Sequence, residues 1–469
     1  MLFNSVNFLF FFIAVCLLFF IVRPKHRWIV LLVSSYVFYG AWKYEYLILI
    51  AVSTVVDFLC AKKMDSLSTK AERKPFLIIS LIANLGLLCT FKYLDFFIGT
   101  FNEITNSEFG FLHLIVPVGI SFYTFQTLSY SIDVYQGKMK AETHLGKFAV
   151  YVSFFPQLVA GPIERASNLI PQLQENAGRL AYNSTVSGIT QVVVGLFKKV
   201  VVADAVAIYV NSIYNNHEAN SGFTLLFATY LFAIQIYCDF SGYSDIAIGI
   251  ARIMGYEFME NFKQPYFSLS VTEFWRRWHI SLSSWLKDYL YIPLGGNKKG
   301  KIRTYVNLML TMLIGGLWHG SSWNFVVWGG LNGSYLAIEK TLFGKPNNQK
   351  SAPKYLKLIK IIVTFHLICF TWIFFRAQTF NQASSIISSI FESTNFWNLR
   401  IQDTGVFATI LVGLVTFLFL EFTFLRNLNY KNLIEEHHCL KLIILKVILI
   451  LMIVGLGITE GSQFIYFQF

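Results

Sequence analysis

Apolar runs recur along nearly the whole chain, at residues 8–22, 28–39, 46–59, 76–97, 224–237, 360–375, 406–420 and 440–458. An α-helix needs roughly 20 such residues to cross a bilayer, and several of these runs reach that length. Others are shorter or broken by Gly, Pro and Asn, which suits helices that line a cavity instead of facing lipid. Only 14% of the 469 residues are charged, against roughly 25% in soluble domains, so a soluble fold is excluded. The pattern predicts an all-α polytopic membrane protein of about ten to twelve spans.

Basic residues set the expected orientation. The first run has no basic leader and no small-residue cleavage site, and Arg23, Lys25 and Arg27 follow it. It reads as a retained first helix with its N-terminus outside. Lys62, Lys63, Lys70, Arg73 and Lys74 mark an inner loop, whereas the acidic stretch 102–108 marks an outer one. The net charge of +12 follows this topology and favours anionic lipid headgroups as neighbours. Basic residues are spread over many inter-span loops, so no nucleic-acid partner is expected. The six cysteines are scattered without a C-x-x-C pair, which points to neither a disulfide framework nor a metal site. No linker or fixed-period repeat divides the chain; a single domain, 1–469, is expected, with 344–354 its most loop-like connection.

One region breaks the membrane pattern. Residues 260–303 hold no spanning run and are rich in Lys and Arg, which places them on the cytoplasmic side. Ser270 followed by Glu273 is a capping-box signature. Helical spacing then predicts one amphipathic interfacial helix, with Trp278, Leu282, Trp285 and Tyr289 on one face and Arg277, Ser281, Ser284 and Asp288 on another. His279 sits beside the tryptophans, and Pro293-Leu294-Gly295-Gly296-Asn297 ends the helix in a turn.

Polar groups also lie inside apolar runs. His319, in Gly315-Gly316-Leu317-Trp318-His319-Gly320, ends an otherwise mostly apolar stretch. An ionisable residue at that depth is a functional-site hypothesis, with a merely packed, hydrogen-bonded histidine as the alternative. Tyr237-Cys238-Asp239-Phe240-Ser241-Gly242-Tyr243-Ser244-Asp245 interrupts another apolar run. Its carboxylates need counter-charges, for which Lys198, Lys199 and Arg252 are available; it reads either as a structural polar knot or as a proton or substrate path. Val116-Pro117-Val118-Gly119-Ile120-Ser121-Phe122-Tyr123 and the Pro- and Gly-containing stretch 155–165 read as cavity-lining or as packing corners. No G-x-S-x-G elbow, H-E-x-x-H pair or Walker A loop is present.

Together these blocks resemble the membrane-bound O-acyltransferase family, and most closely its bacterial branch that includes the alginate O-acetylation membrane protein and peptidoglycan O-acetyltransferases. The resemblance runs from Ser34-Ser35-Tyr36-Val37-Phe38-Tyr39 to Phe464-Ile465-Tyr466-Phe467-Gln468-Phe469. It is most specific at 117–123, 155–165, 239–245, 274–297 and 315–320, five blocks in the family's order. It implies a ring of tilted helices around a thinned centre, with a tunnel joining the two membrane faces. It further implies that His319 is the catalytic histidine and His279 a second functional polar residue. Trp318, Arg276, Arg277, Trp278, Asn324, Asp239 and Ser241 become candidates to line the donor path. The branch often carries a second Trp-His-Gly after the position of Trp328-Gly329-Gly330; here Leu331-Asn332-Gly333 follows, and Asn332 cannot serve as a base.

The activity so implied is acyl transfer, most simply O-acetylation, from a cytoplasmic thioester to a hydroxyl outside the cell. Acetyl-CoA or an acyl-carrier thioester would be the donor, with no tightly bound cofactor. The acceptor would be a glycan, reached directly or through a separate periplasmic or extracellular SGNH-type acetyltransferase. Neutral imidazole at position 319 suits general-base activation of a hydroxyl, and the flanking glycines permit close backbone approach for an oxyanion-stabilising N–H. Positive charge at Arg276, Arg277 and Lys287 suits donor phosphates or an acidic carrier protein, and equally suits lipid headgroups. The expected location is the bacterial cytoplasmic (inner) membrane. Two alternatives from other classes are a transporter or flippase of a lipid-linked glycan, and a non-catalytic scaffold of a polysaccharide export complex.

Overall fold

Every apolar run falls on an α-helix, and no β-strand occurs among the described residues. The computed structural model describes residues 1–159, 161–175, 181–344, 353–392, 397–401, 403–424, 439–458 and 464–465. Most of the loop-like stretch 344–354, residue 160 of the 155–165 block and residues 466–469 of the terminal block lie outside the described residues.

The chain forms two units, Met1–Val192 with Ser244–Met259, and Val193–Tyr243 with Glu260–Phe469. The first holds α1 (Val6–Ile21), α2 (Arg27–Lys43), α3 (Leu47–Asp65), α4 (Lys70–Leu88), α5 (Leu94–Thr105), α6 (Ile120–Gln136), α7 (Leu145–Ser153), α8 (Phe155–Leu158) and α9 (Ala166–Gln174). Two helices, α10 (Tyr182–Leu196) and α12 (Gly222–Ile253), belong in part to each unit. The second holds α11 (Asp204–Asn215), α13 (Val271–Arg277), α14 (Ile280–Leu286), α15 (Lys301–His319), α16 (Trp323–Phe343), α17 (Lys354–Arg376), α18 (Phe380–Glu392), α19 (Thr404–Phe419) and α20 (Cys439–Leu456).

Among the described residues four helical stretches are long and apolar enough to cross a membrane: Lys70–Thr105, Gly222–Ile253, Lys354–Arg376 and Thr404–Phe422. Val6–Ile21 and Leu442–Leu456 are shorter apolar helices. Length and composition thus support fewer spans than the ten to twelve expected. The reason is visible in the helices themselves: α3 carries Asp57, Lys62, Lys63 and Asp65, and α15 opens on Lys301 and Arg303.

In the first unit α3, α4 and α6 bury a polar cluster that the apolar run 46–59 concealed. Asn84 Nδ2 donates to both Asp57 carboxylate oxygens at 2.9 Å, and the Ser80 hydroxyl donates to Oδ1 at 2.5 Å. Ser53 and Thr127 donate to Asn84 Oδ1 at 2.6 and 3.1 Å. Asp57 is completely buried, so these donors supply what water would otherwise supply. The two Pro- and Gly-containing blocks meet as a packing corner. Gly119 caps α6 with a φ of +76°, and a methyl there would strike the main-chain oxygen of Leu158.

In the second unit the polar block around Asp239 does not break its helix; α12 runs straight through it. A π-helical turn, Phe197–Ala203, carries Lys199 inward. Its ammonium pairs with Asp204 at 2.9 Å and with Asp239 at 2.8 Å, all three side chains being almost wholly buried. The other Asp239 oxygen accepts the Ile465 N–H at 2.7 Å. Lys199 is the counter-charge foreseen for this block. Removing one member of a buried ion pair typically costs about 3–5 kcal/mol, because the partner charge stays buried. Lys199→Met should therefore lower the melting temperature of the detergent-solubilised protein markedly; a melt matching the parent would show that the two carboxylates do not depend on it.

Candidate active site

The site begins with a helix that does not continue. Ser270 caps α13 by accepting the Glu273 N–H at 3.2 Å, as the spacing predicted, while Glu273 reaches back to the Leu269 N–H at 2.7 Å. The expected single amphipathic helix then ends at Arg277, and α14 starts only at Ile280. Between them Trp278 is extended and His279 is left-handed, with a φ of 42°. A non-glycine residue in that region carries a strain of about 1–3 kcal/mol and persists only where its surroundings hold it.

Asn261 does the holding. Its Oδ1 accepts the Ser281 N–H at 3.2 Å and the Ser281 hydroxyl at 2.9 Å, and its carbonyl accepts the Ile280 N–H at 2.9 Å. The same Oδ1 lies 3.2 Å from His279 Nδ1. A main-chain N–H can only donate, so that amide atom is the oxygen, which favours a proton on His279 Nδ1 with the Ser281 hydroxyl, 3.3 Å from the same nitrogen, as its second neighbour. The neutral ring therefore presents its lone pair at Nε2. Burial pushes the His279 imidazole down to about 3, so it stays neutral across the physiological range. The break also changes what the aromatic face does. Trp278, Leu282 and Trp285 are buried in protein, so they form core, not an interfacial face toward lipid.

His319 is the last residue of α15. Its ring lies 5.0 Å from Trp318, 5.0 Å from Trp328 and 5.4 Å from Phe375, and 6.5 Å from the ring of His279. Glycines allow this closeness. A methyl on Gly316 would strike the Phe325 carbonyl oxygen, and one on Gly329 the Met312 carbonyl oxygen, so α15 and α16 touch main chain to main chain.

A cavity of about 680 Å³ runs along this pair of helices. Leu308, Thr311, Met312, Gly315 and His319 line it from α15, one helical stripe covering about 16 Å at 1.5 Å per residue. Trp328, Leu336, Glu339 and Lys340 line it from α16, and Trp275, Arg276, Leu286 and Lys287 are among the residues that line the rest of the wall. It is a mainly apolar slot with His319 and Trp328 at one end and the cations Lys287 and Lys340 further along, the composition typical of small-molecule sites.

Of the candidate residues, His319 and Arg276 line this cavity. His279 is completely buried behind it, in edge contact with Phe240 at 4.6 Å and Trp318 at 5.7 Å. Arg277 instead pairs with Glu273 at 2.6 Å. Trp278 packs between Phe274 and Trp372. Asn324 donates to the Ala377 carbonyl at 2.7 Å, pinning the end of α17. Asp239 is committed to Lys199 and Ile465, and Ser241 is buried beside it. Asn332 donates to the Trp328 carbonyl one turn back at 2.9 Å. Sequence reasoning missed Asn261, Glu339 and Lys340. The last two follow Trp328 on one face of α16 at helical spacing, a signal present in the sequence. Nothing local marks Asn261. Asn261→Leu should cost about 1–3 kcal/mol of stability, since buried donors lose their acceptor, and should lower turnover more than donor affinity. Unchanged turnover at matched protein levels would separate Asn261 from the site.

Residues 140–380 match the model of the membrane-bound O-acyltransferase family. The probable alginate O-acetylase AlgI of Pseudomonas aeruginosa is 39% identical over 92% of this chain and 82% of its own. The peptidoglycan O-acetyltransferase of Helicobacter pylori is 34% identical over 100% of this chain and 98% of its own. The teichoic acid D-alanyltransferase of Bacillus subtilis is 28% identical over 57% of this chain and 71% of its own. On this likeness and the match to the family model, the chain belongs to the membrane-bound O-acyltransferase family and is a membrane-embedded acyltransferase.

Proposed function

We propose that this protein moves an acyl group, an acetyl group in the simplest case, from a cytoplasmic thioester across the inner membrane to hydroxyls of an extracytoplasmic polysaccharide or to a partner transferase. The observation that carries the reading is the position of His319 at one end of an apolar slot whose other lining residues include Arg276, Lys287 and Lys340. A thioester arm fits such a slot chemically: apolar walls take its chain, and the cations attract phosphates on coenzyme A or an acidic carrier protein. His319 takes the proton from the acceptor hydroxyl. The oxygen attacks the thioester carbonyl, the C–S bond breaks, and the departing thiolate recovers the proton from the imidazolium. His279, its tautomer fixed by Asn261, offers a lone pair next to this centre as a second polar group. The reading includes a ring of helices with a tunnel that lets the acceptor reach His319 from the far side, and an N-terminus outside the cell. It involves no tightly bound cofactor, and an SGNH-type extracytoplasmic transferase is the partner that would take the acyl group onward.

General-base help is typically worth about 10²–10⁴ in rate, so His319→Ala should lower transfer by at least that lower figure while the protein stays inserted at normal levels. Equal product from that variant would sink the assignment. The two arginines should separate. Arg276→Glu places a negative charge in the cavity wall and should raise the apparent KM for the thioester, whereas Arg277→Glu should not, because Arg277 faces Glu273. Equal KM shifts for both would mean that general surface charge, not the slot, governs donor binding.

A further inference from the structure

A glycine inside a helix weakens it, because it loses the most backbone freedom on folding and packs nothing. α15 and α16 nevertheless carry several, and those at their contact have a packing reason. A methyl on Gly316 or Gly329 would strike a carbonyl oxygen of the facing helix, and one on Gly333 would strike Met309. Gly315 has no such reason. Outside its own helix, a methyl there would meet one atom within 4 Å, Leu286 Cδ1 at 3.1 Å, and no main chain. Its backbone is helical and its φ is not positive, so conformation does not call for glycine either.

Both partners of this contact line the slot. Gly315 stands one turn before His319 on the lining stripe of α15, about 6 Å back at 1.5 Å per residue. Leu286, the buried last residue of α14, reaches Gly315 with a methyl at the end of its side chain. The next residue, Lys287, opens a π-helical turn, Lys287–Tyr291, and lines the slot as well. Such π-helical insertions are frequent at functional sites. The walls therefore close in between the cations and His319, where one leucine methyl lies over bare main chain.

We propose that Leu286 over Gly315 is a gate that selects the acyl group by width, passing unbranched short groups and holding back those branched next to the carbonyl. The inference rests on the proposed function for its direction, with the acyl end travelling from the cations toward His319. When the thioester carbonyl is at His319, the –S–CH2–CH2–NH– link of the arm occupies the turn back to Gly315. That link is an unbranched chain, and the acyl group has to pass the same point ahead of it. An acetyl group is about as wide as the arm that follows, so one movement of the Leu286 side chain admits both. A branch at the α carbon widens the head beyond the arm, and Gly315 has no side chain left to yield. A pocket discriminates one methyl or methylene by roughly 10–200-fold.

The test uses the full chain in inside-out membrane vesicles of the source cell, with cytosol added and labelled acetyl-, propionyl- or isobutyryl-CoA as the probe. The readout is the alkali-released acid from the acylated polymer. Isobutyryl is propionyl with one α-methyl more, so the parent should favour propionyl by at least roughly tenfold in kcat/KM. Leu286→Ala should shrink that preference by roughly tenfold. Gly315→Ala should lower acetyl transfer by roughly tenfold without lowering the melting temperature, and adding Leu286→Ala to it should restore most of the loss. A parent that takes both probes equally, or an unmoved preference in Leu286→Ala, would overturn the gate. So would a lowered melting temperature in Gly315→Ala, which would assign that glycine to packing, or parental acetyl transfer by it. His319→Ala separates the two readings. Full transfer by that variant would defeat the catalytic assignment, whereas a dead His319 variant beside an unmoved preference would defeat the gate alone.

Discussion

The main-chain contact of α15 with α16 governs the geometry of the site. Gly316 and Gly329 let the two helices approach until carbonyl oxygens occupy the places where side chains would normally stand. That closeness brings Trp328 to 5.0 Å from His319. It also gives both helices a common stripe that walls the cavity. Larger residues at these glycines would push the helices apart by overpacking, at a cost of about 1–3 kcal/mol, and would separate His319 from its aromatic neighbours. The glycines flanking His319 thus have a packing reason independent of any oxyanion role. The two are compatible, because close backbone approach is what an exposed N–H at the site would also need.

Within each unit, buried polarity is satisfied by protein groups. Asp57 in the first unit is surrounded by hydroxyls and an amide, whereas Asp204 and Asp239 in the second share one lysine. These solutions differ in kind. Neutral donors can settle one carboxylate, but two carboxylates from different helices attract each other's counter-charge and repel each other without it. A π-helical turn, with its extra residue per turn, is how Lys199 reaches both. Phe240, next to Asp239 on α12, then lies edge-on to His279. The ion pair and the strained histidine are thus adjacent parts of one packed arrangement.

Much of the fold was legible because helices in this chain are written in apolar length and in caps. The runs fell on helices, Ser270 capped its helix, and Lys199 paired with Asp239. His319 was legible as a candidate because an imidazole at the end of an apolar helix needs a partner or a task, and it lines the cavity. What escaped was non-local. No proline or glycine announces the break at His279; it is held by Asn261, distant in sequence and indistinguishable there from any loop asparagine. Asp57 was visible as a letter but its donors come from α4 and α6. Of the candidates for the donor path that the resemblance implied, Arg276 lines the slot beside His319, because lining is decided by the helical face. Leu308, Thr311, Met312 and Gly315 line the slot through their spacing from His319, although none of them carries a reactive group.

The two histidines meet opposite electrostatic conditions, and this bears on which one can act as the base. His279 is wholly buried and faces Asn261 through Nδ1, and that burial disfavours a positive charge on its ring. His319 is also enclosed by aromatic rings, but it is the final residue of α15 and lies where the helix dipole leaves partial negative charge. A cation at a helix C-terminus is stabilised by about 0.3–1 kcal/mol at the surface, and by up to about 2 kcal/mol when partly buried. A base must hold a proton briefly, so the stabilisation is needed only at the moment of transfer. In the proposed reaction the helix end supplies that stabilisation. Position on the helix, more than residue type, is what distinguishes His319 from His279.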